Sequence, residues 1–133
     1  MDGLALIPRG SANDLYSAGL TEYARQAYDR SVETFRAFLA QYPQDARAPD
    51  ARYWLADSYF QQQRYAEAIP EYEAVIRQFP ESRRAPAALL RQGQARLALG
   101  DQAGCQNLRE VVSRFPRARE AGPARETLAA RCP

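Results

Sequence analysis

The chain has 133 residues, with 18 basic side chains against 16 acidic ones, a formal net charge of +2, and 46% of it is apolar. Every basic residue is Arg, because the sequence contains neither Lys nor His. Their absence excludes a histidine general base, a Schiff-base lysine, a phosphate-loop lysine and any His-containing zinc site.

At the start, Leu6-Ile7-Pro8-Arg9-Gly10-Ser11 resembles a protease-cleavage linker appended for expression. Residues 1–12 are therefore assigned to a linker without fixed structure, and residues 13–133 to a single domain. Because 25 of the apolar residues are Ala, the larger side chains suffice for one thin core. No apolar run approaches the roughly 20 residues that a membrane-spanning helix needs.

The rest of the chain repeats. Tyr42-Pro43, Phe79-Pro80 and Phe115-Pro116 recur at the period of helical arrays, and each pair is followed by a second proline: Pro49, Pro86 and Pro123. A proline fits the first helical turn, where its missing N–H had no partner, so the first of each pair closes a helix and the second opens the next. Between these marks the apolar spacing is three and four, as in Tyr65, Ala68, Ile69, Tyr72, Val75, Ile76 and Phe79. Helices are predicted at 14–26, 28–42, 48–62, 65–79, 86–99, 102–115 and 122–131, with no strand. Pro70 falls inside the fourth, which predicts a kink or a late start. The third unit is one residue shorter and carries Gly104 where Ala68 stands, so its helix pair should pack differently.

The central unit, Tyr53-Trp54-Leu55-Ala56, then Tyr59, Tyr65, Ala68, Tyr72 and Pro80, closely resembles the tetratricopeptide repeat (TPR). That resemblance implies an all-α, right-handed α-solenoid of three helix hairpins, about 13–47, 48–84 and 85–120, plus a C-terminal capping helix at 121–132. Gln63 and Arg64 depart from the Gly-Asp usual at that turn. Phe38-Leu39-Ala40-Gln41-Tyr42-Pro43 and Leu108-Arg109-Glu110-Val111-Val112-Ser113-Arg114-Phe115-Pro116, with the central unit, are similar to the C-terminal domain of the YbgF (CpoB) family. This narrower likeness implies a periplasmic protein of the Tol-Pal system that binds TolA. Such a protein helps coordinate peptidoglycan synthesis with envelope constriction in cell division. The family also has a trimerising N-terminal coiled coil, which this sequence lacks, so a homo-oligomer would form through that missing region or through stacking of the repeats. BamD-like outer-membrane assembly lipoproteins and self-assembling TPR modules are the alternatives.

In such a stack the first helix of each unit faces the inner side. Taking Gly19, Ala56 and Gly93 as the small packing positions, residues three before and four after each line the groove. These are Tyr16 and Tyr23, Tyr53 and Phe60, and Leu90 and Leu97, with Asp57, Gln61 and Gln94 among them. The expected groove is aromatic and apolar with a few hydrogen-bonding groups, suited to a peptide or helix. The plainer reading is that these residues belong to the core. Against it, Leu55, Tyr59, Tyr65, Tyr72 and Ile76 already supply the packing positions, and Trp54 is expected to be buried. Chaperone-binding TPRs hold a C-terminal carboxylate with Lys, Asn and Arg on this inner face; here only Arg91 resembles one member of that clamp, which argues against such ligands.

Charge is uneven: residues 12–80 sum to −3 and residues 81–133 to +5. Arg83, Arg84, Arg114, Arg117 and Arg119 could steer an acidic partner or be solvated surface. They are not interleaved with exposed aromatics, so no nucleic-acid partner is expected. Glu67 with Glu71 and Asp29 with Glu33 share helix faces but lack a base or nucleophile nearby, so no enzyme, cofactor or metal is expected.

Cys105 stands at an apolar packing position of the sixth helix, and Cys132 ends the helix that should lie against it. A bond between them would stabilise the fold by about 3.6 kcal/mol in the chain-entropy model. In an oxidising periplasm the two would be joined; in cytosol both would remain thiols.

Overall fold

A computed structural model describes residues 8–133, so the first part of the expected linker, residues 1–7, lies outside the described residues. Among the described residues all regular structure is helical. Seven helices follow in order: α1 (Ala12–Ala24), α2 (Tyr28–Gln41), α3 (Ala48–Gln61), α4 (Tyr65–Gln78), α5 (Ala85–Ala98), α6 (Ala103–Arg114) and α7 (Ala121–Arg131). Each boundary lies within two residues of its prediction. The Ser11 hydroxyl caps α1 by accepting from the Asp14 N–H at 3.0 Å, and the Tyr42 hydroxyl donates to the Gly10 carbonyl at 2.8 Å.

Three hairpins, α1/α2, α3/α4 and α5/α6, are closed by the same turn. Past each first helix, two backbone N–H groups turn back onto the last carbonyls: Gln63 to Phe60 and Arg64 to Tyr59, and likewise from Gln26 and Ala27, and from Gly100 and Asp101. This is a Schellman ending, which needs one residue in the left-handed region. Gly100 takes it at φ 81°, but Gln26 and Gln63 take it at 63° and 59°, which accounts for the missing Gly-Asp.

Between units, Tyr42, Phe79 and Phe115 leave the helix at φ near −130° and ψ near +55°, clear of the α region that a following proline crowds. Two successive backbone bonds then bring the chain round: Asp45 to Tyr42 and Ala48 to Asp45, with equivalents in the later units. Asp45 and Ser82 each add a side-chain bond, to the N–H of Arg47 and Arg84. Pro49 and Pro86 stand in the first turns of α3 and α5, as expected. The late start expected from Pro70 does not occur. α4 begins at Tyr65 and runs past it, already wound by bonds from Glu67 and Ala68 to the Arg64 carbonyl.

Each helix packs on its neighbours in sequence, α1 also meets α3, and residues of α3, α5 and the start of α7 line one cavity, so the odd-numbered helices share one side. The core forms two clusters, one around Phe35, Phe38, Leu55, Tyr72 and Val75 and another around Leu89, Leu97, Leu108 and Val111, with Ile76 packing against both. Between them lies a polar seam. Gln92, fully buried, donates to the Ile69 carbonyl at 3.1 Å and to Glu73 at 2.8 Å, and Asn107 donates to Gln92 at 2.7 Å. The Gln92 bond, with Arg77 beside it, holds Glu73 below the usual carboxylate range.

The third unit packs differently, as its length predicts. A Cβ on Gly104 would overlap the Gly93 carbonyl and sit 2.8 Å from Leu97 Cγ, so α5 and α6 cross backbone to backbone. A disulfide joins Cys105 on α6 to Cys132 just beyond α7.

Candidate functional site

The inner side of α3, α5 and the start of α7 encloses an open cavity of about 700 Å³. Tyr53 and Leu90 form its apolar part with Ala87 and Pro123. Gln94, Arg83, Arg84, Arg91, Arg119 and Glu120 supply its polar rim. The two turns between units place these side chains: Arg83 and Arg84 precede α5, and Arg119 and Glu120 precede α7. Of the five arginines read as either steering an acidic partner or solvated surface, Arg83, Arg84 and Arg119 are gathered here; Arg114 and Arg117 do not join them.

Each guanidinium is set by a carboxylate. Asp50 on α3 accepts from Arg84 at 2.9 Å and Arg83 at 3.3 Å, and Arg84 lies over the rings of Tyr53 and Trp54, at 5.3 and 4.8 Å from their centroids. Arg91 lies over Phe60 at 4.8 Å, with Asp57 3.6 Å away. Burial is the largest influence and works against the Arg91 charge, but the Asp57 carboxylate and the phenols of Tyr53 and Tyr72 together outweigh it, so the pKa is raised. The side chains of Arg83 and Arg119 are 79% and 90% exposed, leaving most of their donors free for an incoming acceptor.

Of the nine residues expected to line a groove, Tyr53, Leu90 and Gln94 meet at this cavity; Tyr16, Tyr23, Asp57, Phe60, Gln61 and Leu97 lie outside its lining. The expectation of an open aromatic face needs correction, because several of these side chains are core. Tyr53 is 6% exposed, Leu90 8% and Leu97 2%. Tyr53 packs edge-on against Trp54 and tilted against Tyr72. Leu97 lies in the second cluster, where Arg131 of α7 reaches its carbonyl. Tyr16, half-buried, packs on Phe35 and Phe38 beneath Arg47. Phe60 packs on Tyr65 and Tyr72. Gln61 is exposed and donates to Asp57 at 3.3 Å. Trp54, expected to be buried, is half-buried between Tyr23, Tyr53 and Arg84.

Asp57, expected as a groove residue, is a buried junction. It accepts hydrogen bonds from the hydroxyls of Tyr23 on α1 and Tyr72 on α4, the second at 2.7 Å. Burial, then the bond to Asp57, raises Tyr23; burial, then the Asp57 charge, raises Tyr72. Burial chiefly raises Tyr53 as well. Sequence spacing missed this role because it shows a face, not which neighbour closes over it. Glu120 and Pro123 were missed because no periodic signal marks the start of α7 as part of a site, and Ala87 because it lies on α5 one turn before Leu90, outside the positions taken around Gly93.

Three of the four paired acids face arginines: Glu67 and Asp29 meet Arg64, and Glu71 meets Arg52. Glu73 with Arg77 and Glu110 with Arg114 form their expected pairs. Among the described residues, no helix is long and apolar enough to cross a membrane.

No curated protein sequence matches the chain. Solved structures show the same fold. The second TPR domain of the human RPAP3 protein, in complex with the HSP70 peptide SGPTIEEVD, superposes with a TM-score of 0.74 at 21% identity, covering 89% of this chain and 94% of that one. The first TPR of Spaghetti (RPAP3), bound to the HSP90 peptide SRMEEVD, gives 0.71 at 21%, covering 90% and 91%. The first TPR domain of human RPAP3 gives 0.71 at 20%, covering 90% and 93%. One tetratricopeptide repeat family model matches residues 16–83 and a second matches residues 87–118. Matched over more than half of its length by the first of these alone, the protein belongs to the tetratricopeptide repeat family.

Proposed function

We propose that the protein is a non-enzymatic scaffold that binds an acidic segment of a partner protein in the cavity on its inner side. The observation that carries this reading is the convergence of Arg83, Arg84, Arg91 and Arg119 around the apolar floor of Tyr53, Ala87 and Leu90. An apolar side chain of the partner would rest on that floor while carboxylates engage the exposed arginines. The RPAP3 domains offer an analogy, since the peptides bound to them end in Glu-Glu-Val-Asp. The resemblance to the YbgF family nominates a TolA-like partner, a place in the Tol-Pal system during cell division, and a periplasmic location. The Cys105–Cys132 bond fits an oxidising compartment.

The test is fluorescence anisotropy with a labelled acidic peptide carrying a central leucine, and in parallel with TolA. Arg83→Glu with Arg119→Glu should weaken binding at least about tenfold, as expected for charge pairs turned repulsive. Binding should also weaken as salt rises. Both changes lie on exposed side chains, so the helix content should hold. Unchanged affinity in the double variant rejects the reading, and concentration-dependent sedimentation without any peptide binding would favour self-assembly.

A further inference from the structure

The groove takes one wall from α7, the helix with the weakest hold on the rest of the fold. α7 fully buries only Ala121 and Ala124. Leu128 and Cys132 pack half-buried on the second cluster. Its N-terminus has no side-chain cap, and its first turn contains Gly122 and Pro123. A helix of 11 residues is marginal on its own. Three other side-chain tethers, all at exposed or partly buried positions, reach it or the residues after it: Arg125 to the Pro116 carbonyl at 3.4 Å, Arg131 to the Leu97 carbonyl at 3.3 Å and Arg109 to the Pro133 carbonyl at 3.1 Å. By contrast, α3 and α5 are each flanked by a helix on both sides. The covalent bond from Cys105 to Cys132 is thus the main fastening of the element that carries Pro123 and follows directly on Arg119 and Glu120.

We propose that this disulfide is a redox-sensitive clasp on the binding groove: bonded, it holds α7 against α6 and completes the cavity; reduced, it releases α7 and opens that wall. The control of binding rests on the reading of the cavity as the partner site. The step requires a dithiol reductant. Its thiolate attacks Sγ of Cys132, the more exposed of the two sulfurs, forming a mixed disulfide. The Sγ–Sγ bond breaks and the Cys105 thiolate leaves and takes a proton. The reductant's second thiolate then displaces Cys132, and the reductant departs as its own disulfide, having given two electrons.

The experiment compares oxidised protein, protein reduced with dithiothreitol, and Cys132→Ser, using backbone hydrogen exchange and anisotropy with the acidic peptide. Exchange across Ala121–Arg131 should rise sharply on reduction and in Cys132→Ser, while α3 and α4 stay protected. The peptide Kd should rise about tenfold in both, as expected if α7 remains docked in about one molecule in ten. Dithiothreitol should leave the Cys132→Ser variant unaffected. Protection of α7 that survives reduction overturns the proposal, and so does release of α7 with unchanged peptide affinity. Should the variant fail to fold, reduction of the folded wild-type chain makes the same comparison. Absence of binding by the oxidised protein overturns the partner-site reading and the control of binding with it, while exchange still reports whether the bond holds α7.

Discussion

Gln26 and Gln63 occupy the position that Gly100 fills in the third hairpin, at φ of 63° and 59°. A side chain there meets the carbonyl that follows it, a conflict of about 1–2 kcal/mol in left-handed backbone. Glycine avoids that conflict but gives the unfolded chain more freedom, so the gain is only partial. Gln26→Gly and Gln63→Gly should each raise stability by about 0.5–1 kcal/mol, read as a higher urea midpoint with unchanged slope. A lowered midpoint in both would mean that the glutamine side chains make contacts worth more than the strain. The sequence showed the departure from Gly-Asp but not its consequence. A turn built from backbone bonds is indifferent to its side chains until the sign of φ is known.

At the scale of elements, the close crossing of α5 and α6 depends on Gly93 and Gly104, where the other hairpins use Gly19 with Ser31 and Ala56 with Ala68. A methyl group on Gly104 meets the Gly93 backbone and the branch point of Leu97, neither of which can swing aside. Gly104→Ala should therefore destabilise by about 1–3 kcal/mol through overpacking, although alanine is the better helix former by about 1 kcal/mol. Gly122→Ala is the control: its Cβ would meet nothing within 4 Å, so it should stabilise α7 slightly. Urea denaturation of the two variants checks this, and a stabilised Gly104→Ala would show that the helices can part at little cost. Helix positions were legible because aromatic-proline pairs and three-four spacing are local signals. The groove was less so. The positions around Ala56 and Gly93 did share a face, but whether a face is open depends on which unit closes over it. Leu97 is covered in the cluster that α7 joins, Tyr53 is overlaid by Arg84, and Asp57 is enclosed by tyrosines from two other helices. None of these partners is near in sequence, so periodicity cannot report them.

Across the whole molecule, Asp57 is the point at which the repeats are keyed together, since it takes Tyr23 from the first unit and Tyr72 from its own and faces Arg91 of the third. Apolar contact between helical repeats tolerates small slips; a buried carboxylate with fixed donors does not. The keying requires both phenols to be protonated. Tyr72 and Tyr23 are raised above their ordinary value of 10.0, by burial first and then by Asp57. In the unfolded chain they ionise near that ordinary value, whereas in the fold they hold their protons. Their contribution is therefore complete below pH about 10 and lost as pH rises beyond it, because the unfolded state alone gains by ionising. The urea midpoint should be flat with respect to these groups from neutral pH to about 9 and fall above 10. Tyr72→Phe removes a donor from a buried carboxylate and should cost about 1–3 kcal/mol at neutral pH, yet show a shallower alkaline decline. Tyr23→Phe, at a half-buried position, should show the same pattern more weakly and keeps the measurement possible if the first variant is too unstable. Equal alkaline slopes in wild type and both variants would mean that other tyrosines carry the alkaline transition, and that Asp57 does not couple the units through these phenols.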